Sequence, residues 1–187
     1  KTLIKNELIE IKDEFGEERK SPIREATEAK VFSEEETLVT EPITVVLSAA
    51  GWIRSAKGHE IDPSSLSYRG EDVLQDYGRG KSNQVSVFLD SNGKAYSLAS
   101  HSLPSARGMG DPITGRVSAD SGVKFISSLI GNDEDKFMIM NTAGYGYISE
   151  FKNMVSNKKS GKAFMKIPHE ADLLKAIKVR DDHLYIA

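Results

Sequence analysis

A short phrase recurs along this chain and narrows what it can fold into. The first copy runs Val45-Val46-Leu47-Ser48-Ala49-Ala50-Gly51-Trp52-Ile53. The second is Val87-Phe88-Leu89-Asp90-Ser91-Asn92-Gly93-Lys94-Ala95-Tyr96, and the third Met138-Ile139-Met140-Asn141-Thr142-Ala143-Gly144-Tyr145-Gly146-Tyr147. Each is an apolar run, a small polar turn, a glycine and a second run rich in aromatic or branched residues, which spells a β-hairpin. The glycine supplies the positive φ of a tight turn. Gly51, Gly93 and Gly144 stand 42 and 51 residues apart, a period that points to a propeller or a similar array.

Counting from the turn glycine extends the repeat. At +10 stand Leu103 and Met154, at +14 Arg107 and Lys158, at +17 Gly110 and Gly161, and at +20 Ile113 and Phe164. An apolar anchor, a basic residue, a glycine and a re-entering strand thus recur in copies two and three. Copy one departs: Ile61 holds +10, but Ser65 and Tyr68 stand at +14 and +17, and its glycine, Gly70, comes at +19. His183-Leu184-Tyr185-Ile186-Ala187 reads as the opening of a fourth copy that stops before its glycine. Because Lys1 is not a natural start, the chain is expected to be a piece of a longer protein.

Upstream of the repeats the pattern changes. In residues 1–16, Ile4, Leu8, Ile11 and Phe15 share one face at helical spacing, and Gly16 is a stop signal, so this segment is expected to be an amphipathic helix. Residues 17–41 are charged and unpatterned and read as a connector, with a turn at Ser21-Pro22 and a solvated acidic run at Glu34-Glu35-Glu36. From 42 to 187 the expected strands are 43–47, 52–53, 85–89, 95–98, 124–126, 137–140, 145–148, 163–167 and 176–179, with a helical turn as the alternative over 169–176. Turn clusters are expected at Lys57-Gly58, Asp62-Pro63-Ser64, Gly78-Arg79-Gly80, Ser121-Gly122 and Asn132-Asp133. The fold class is therefore all-β with a short N-terminal helix.

The charge is unevenly spread. The chain carries a net −3. Residues 1–40 hold seven Lys/Arg against eleven Asp/Glu, whereas residues 136–166 carry six lysines against one acid, Glu150. A local basic face can therefore sit on an acidic protein. The chain has no cysteine, which removes disulfides and thiolate metal sites and fits a reducing cytosol.

No catalytic constellation stands out. His59, His101, His169 and His183 are isolated and form no pair at metal-ligand spacing. A P-loop and a Gly-x-Ser-x-Gly elbow are both missing. What recurs is a cation beside a glycine. The candidate nucleic-acid contacts are Arg54, Lys57, Arg69, Arg79, Lys81, Arg107, Arg116, Lys158, Lys159 and Lys162. Glycine lets a backbone approach a phosphate, and the cation adds attraction and counterion release. If the repeats are blades around an axis, equal offsets fall at equal places on the rim. Solubilising surface loops are the competing reading, and a protein-interaction propeller without nucleic-acid binding is a second one. Both stay open on composition alone.

Several stretches resemble the A subunits of bacterial type IIA topoisomerases. Leu8-Ile9-Glu10 and Asp13-Glu14-Phe15-Gly16-Glu17-Glu18-Arg19-Lys20-Ser21-Pro22-Ile23 resemble the end of their breakage-reunion region. Glu41-Pro42-Ile43-Thr44-Val45-Val46-Leu47-Ser48, with Gly51-Trp52-Ile53-Arg54-Ser55-Ala56-Lys57-Gly58-His59, resembles the start of their C-terminal domain. Leu103-Pro104-Ser105-Ala106-Arg107-Gly108, Pro112-Ile113-Thr114-Gly115 and Ala143-Gly144-Tyr145-Gly146 continue the likeness.

The resemblance implies a β-pinwheel, incomplete here at about three blades, that binds and bends duplex DNA on its rim. It implies a parent enzyme that cuts DNA through a tyrosine with Mg2+ and works with a partner, the topoisomerase IV B subunit, which binds ATP. It further implies a self-dimer built from upstream regions, with no cofactor and no catalytic residue in this stretch. A cytoplasmic, nucleoid-associated location follows, with peripheral inner-membrane association open to the parent. Gyrase A subunits carry Gln-Arg-Arg-Gly-Gly-Lys-Gly where this chain has Ser64-Ser65-Leu66-Ser67-Tyr68-Arg69-Gly70. The departure favours the topoisomerase IV branch and implies weak or absent DNA wrapping, because the loop has lost most of its cations.

Overall fold

In a computed structural model the described residues are 1–17, 21 and 40–180. Most of the connector, including the acidic run at Glu34-Glu35-Glu36, lies outside them, as do Pro22 of the expected turn and the opening of the fourth copy at His183. The N-terminal helix and the β-rich remainder form separate units. Helix α1 (Thr2–Phe15) ends where the Gly16 N–H donates to the Lys12 carbonyl at 2.8 Å. Its apolar stripe is exposed.

The three phrases form three antiparallel hairpins: β1 (Pro42–Ser48) with β2 (Trp52–Lys57), β4 (Val85–Asp90) with β5 (Lys94–Ala99), and β8 (Lys136–Met140) with β9 (Gly146–Glu150). Their turns are built alike. The residue three before the glycine accepts the glycine N–H on its carbonyl, at 3.0 Å for Ser48, 3.2 Å for Asp90 and 3.1 Å for Asn141. Its side chain takes further turn amides: Ser48 Oγ that of Trp52, Asp90 Oδ1 those of Asn92 and Lys94, and Asn141 Oδ1 those of Ala143 and Tyr145. Short polar side chains at this position therefore close the turn from within.

Each hairpin gains a strand on its inner edge: β3 (Leu74–Lys81) on β1, β7 (Phe125–Ile130) on β4 and β11 (Ile177–Lys178) on β8. In the first two blades the outer edge is closed by the next repeat. The two-residue strand β6 (Asp111–Pro112) follows the second hairpin but pairs with β2 of the first. Likewise β10 (Lys162–Ala163) follows the third hairpin but pairs with β5 of the second. The sheets thus read β3-β1-β2-β6, β7-β4-β5-β10 and β11-β8-β9. The re-entering strand found by counting re-enters the preceding blade. Immediately after it, the Ile113 N–H donates to the Gly51 carbonyl at 2.9 Å, and the Phe164 N–H to the Gly93 carbonyl at 3.0 Å.

Copy one follows a different course. Its loop turns back on its own blade, placing Tyr68 over Arg54 and Arg69 over Trp52.

Two apolar layers lie between the blades. Val45, Leu47 and Ile53 of the first blade meet Phe88, Tyr96, Phe125 and Ile130 of the second. Val87, Leu89 and Leu129 of the second meet Phe137, Ile139, Phe151 and Met154. Because β4 is covered on both faces, Val87-Phe88-Leu89 is a continuous apolar run without alternation.

Four expectations need correction. Gly78-Arg79-Gly80 is no turn but the middle of β3. A Cβ at Gly78 would lie 2.9 Å from the Ser128 carbonyl oxygen, and one at Gly80 would lie 2.6 Å from the Ile130 side chain. The glycines permit close approach of β3 to β7. Of the expected strand at 163–167 only Ala163 is paired, as the end of β10, the strand at 176–179 shrinks to the two residues of β11, and 169–176 contains no helix.

Gly110 is a tight point of the strand exchange: its φ is +88°, and a Cβ there would lie 2.5 Å from the Ile53 carbonyl oxygen. Gly58 has a φ of +85° with open space around it. In urea unfolding, Gly58→Ala is expected to cost about 1 kcal/mol for the backbone conformation alone. Gly110→Ala is expected to cost about 3 kcal/mol, because conformational strain and a backbone clash add. Equal losses would show that the exchanged strand does not press on β2.

Candidate nucleic-acid interface

The loop that precedes each exchanged strand is draped over the outer strand of the preceding blade. In the first case the Ser55 N–H donates to the Pro104 carbonyl at 2.7 Å, and the Ala106 N–H returns to the Ser55 carbonyl at 2.8 Å. In the second, the Ser156 N–H donates to Ser97 Oγ at 2.8 Å. Ser55 and Ser97 both stand at +4 from their turn glycines. Leu103 and Met154, the anchors at +10, are buried. Each loop is therefore pinned at its apolar start and at its glycine end, and the cation at +14 lies between the pins.

Arg107 and Lys158 occupy that position and are exposed, as are Lys159 and Lys162. The Arg107 N–H donates to Ser105 Oγ at 3.4 Å and the Lys158 N–H to Ser156 Oγ at 3.2 Å, so a serine at +12 turns the loop just before the cation. Among the described residues Arg107, Lys158 and Lys159 make no ion pair. Lys162 Nζ donates to the Asn153 carbonyl at 2.8 Å, which holds it beside the same loop. Clefts open at equivalent places on the two blades. One, of about 520 Å3, is lined by Ala56, Lys57, Leu66, Ser105 and Arg107. The other, of about 550 Å3, is lined by Ser156, Asn157, Lys158, Gly161 and Lys162.

The remaining candidates fall elsewhere. Lys57 borders the first cleft but pairs with Glu41 at 2.8 Å. Arg116 pairs with Asp111 at 2.8 Å and donates to the Ser102 carbonyl at 2.9 Å, bracing the exchanged strand. Arg79 and Lys81 sit on β3, at the inner edge of the first blade and away from the outer loops. Arg79 lies 5.4 Å from the Tyr77 ring centroid, and Arg69 lies 5.1 Å from that of Trp52.

Arg54 is the clearest departure. It is 4% exposed, its guanidinium stands 4.8 Å from the Tyr68 ring centroid, and Nη1 donates to the Gly108 carbonyl at 3.1 Å. This arginine fills the space under the folded-back loop and presents no charge at the surface. Just ahead of the stretch that replaces the gyrase box, Asp62 Oδ1 accepts the Ser64 N–H and hydroxyl. These bonds hold its carboxyl below the usual range.

Other cations are neutralised locally. Lys94 and Lys152 are hydrogen-bonded to Asp120 and Glu150, and each carboxylate raises its lysine's pKa. Sequence reasoning overlooked the serines at +12, although Ser105 and Ser156 repeat at one offset and could have been found by the same count. Among the described residues no group of three or more His, Asp or Glu is gathered as a metal site, and no helix is long and apolar enough to cross a membrane.

Three sheets joined by exchanged outer strands define a β-pinwheel of the kind found at the C-terminal end of type IIA topoisomerase A subunits. The C-terminal domain of DNA gyrase A shares the fold, with a TM-score of 0.57 at 14% identity over 76% of this chain and 49% of that one. The C-terminal domain of Escherichia coli ParC matches with a TM-score of 0.70 at 40% identity, over 75% of this chain and 58% of that one. The DNA topoisomerase 4 A subunit from Pseudomonas aeruginosa is 43% identical over 181 residues, which is 97% of this chain and 24% of that protein. No family model matches. The chain belongs to the family of topoisomerase IV A subunits and spans about a quarter of the length of the curated relatives it matches.

Replacing Arg54 separates structure from surface charge. Arg54→Met removes a charged hydrogen bond and a cation–π contact, and is expected to lower stability by about 1–3 kcal/mol. Arg107→Gln should leave the melting temperature within about 2 °C, as exposed substitutions do. Differential scanning calorimetry of both variants checks this, and equal melting temperatures would contradict the burial of Arg54.

Proposed function

We propose that this chain is a duplex-DNA-binding and bending module of the topoisomerase IV A subunit. The observation that carries the reading is the recurrence, on two consecutive blades, of a pinned loop with an unpaired cation at the same offset. Arg107 and Lys158 hold the same offset in the repeat, and a duplex laid across the outer strands of the first two blades meets a cation at each. Such contacts read the phosphate backbone without regard to sequence.

The stretch that replaces the gyrase box begins in a capped turn, and Arg69 is the sole cation of its seven residues, Ser64 to Gly70. This supports bending over a short arc and argues against wrapping.

In this reading the intact parent is an ATP-dependent type II topoisomerase that decatenates and relaxes DNA during chromosome segregation. A tyrosine and Mg2+ elsewhere in the parent would cut the duplex, and the B subunit would supply the ATPase. The chain alone is inactive in strand passage and works in the cytoplasm, on the nucleoid. Its own residues supply the track on which a duplex is held.

The test is a fourfold substitution of Arg107, Lys158, Lys159 and Lys162 to Gln. The intact chain is expected to retard a short duplex at about 0.1 M salt, and the variant to bind at least about tenfold more weakly. The slope of log K against log salt should flatten by roughly 0.9 for each phosphate that is no longer neutralised. Unchanged affinity and slope would overturn the assignment. A native chain that fails to retard DNA would favour a protein-interaction propeller.

A further inference from the structure

The inner edges of the blades converge, and one short stretch joins all three. Lys175 Nζ donates to the Gln75 carbonyl in β3, in the first blade. The next residue, Ala176, donates its N–H to Ser127 Oγ in β7, in the second blade, at 2.9 Å. The third, Ile177, pairs with Met138 of β8, in the third. The stretch is held from behind by Leu174 N–H on the Met140 carbonyl and Val179 N–H on the Lys136 carbonyl, at 2.9 and 2.8 Å.

The receiving side is equally fixed. Gln75 Nε2 donates to the Ile126 carbonyl at 3.4 Å, and Asp76 Oδ2 accepts the Ser128 N–H at 2.9 Å. Burial pushes the Asp76 carboxyl upward, while the Ser128 N–H and the nearby Lys175 charge pull against it. Gly78 and Gly80 set β3 directly on β7.

Between β3 and the 175–177 stretch a cleft of about 510 Å3 remains, lined by Asp76, Gly78, Ser128, Ile130, Lys175 and Ile177. Lys175 bridges it with a long side chain. The first and second blades share an apolar layer, and so do the second and third. The hydrogen bond from Lys175 instead skips a blade.

We propose that Lys175 is a latch at the inner edge that fixes the angle between the first and third blades and so sets the curvature of the array. A four-stranded blade is about 14 Å from inner to outer strand. An angle set at the inner edge is therefore carried to the rim, where it determines how far β9, the outer strand of the third blade, stands from the Arg107 loop on the first. Lys175 is exposed, so the latch can open without disturbing either apolar layer. The consequence for DNA bending rests on the proposed function; the latch itself does not.

The absence of cysteine makes a direct test simple. Spin labels at Ala50→Cys and Ala143→Cys mark the hairpin turns of the first and third blades, and both positions are exposed. Electron-electron double resonance on the intact chain should give a narrow distance distribution. Lys175→Met is expected to shift it or roughly double its width, as release of a hinge does. Lys175→Arg, which keeps a donor, should restore it. A pair at Ala50→Cys and Asn92→Cys, on the first and second blades, should be unaffected by Lys175→Met. An unchanged 50–143 distribution in a folded Lys175→Met variant would overturn the latch, as would an equal change in the 50–92 pair. If Lys175→Met melts early, Lys175→Ala, which also lacks a donor, is measured instead against the same two outcomes. Failure of the native chain to retard duplex DNA would leave these distances untouched and would count against the proposed function alone.

Discussion

The structure depends on a strand of two residues that each of the later repeats lends to the blade before it. Without β6 and β10, the outer edges of β2 and β5 would be open, with unpaired backbone groups. The exchange also explains the spacing of the repeat. An apolar anchor must seat the loop, a glycine must pass within van der Waals contact of the preceding strand, and the next amide must reach the preceding turn carbonyl. Leu103, Gly110 and Ile113 do this for one junction, and Met154, Gly161 and Phe164 for the other. The offsets are conditions of docking, and the cation at +14 is carried along by them.

This coupling joins fold to function. The loop that bears Arg107 cannot leave its place without breaking the bonds from Ser55 to Pro104 and Ala106. The cation is thus positioned by the same contacts that join the blades, so under the proposed function little loop entropy would be lost on binding a phosphate. Arg116, paired with Asp111 inside the exchanged strand, shows the other use of a basic residue here: it braces the junction.

Much of this was legible in the sequence, for physical reasons. The hairpins announce themselves because a tight turn needs a glycine and flanking apolar runs, and Ser48, Asp90 and Asn141 add turn-closing side chains. The offsets at +10, +14, +17 and +20 could be counted, but counting does not say which blade a strand joins. β3 was missed because Gly78-Arg79-Gly80 is written in turn residues. Close packing on Ser128 and Ile130 overrode that local preference. Arg54 looked like a surface cation because nothing local distinguishes it. Its burial comes from Tyr68, fourteen residues away, folding back over it. Likewise the pairing of Lys57 with Glu41 depends on how β1 and β2 align.

The central claim is that DNA follows the outer loops and not the inner strands. Titrating 15N-labelled protein with a short duplex and following backbone amides tests it directly. The amides of Arg107, Gly108, Lys158 and Gly161 are expected to shift together with one apparent affinity, while those of Arg79 and Lys81 on β3 stay in place. Shifts centred on β3, with the two loops unmoved, would contradict the account.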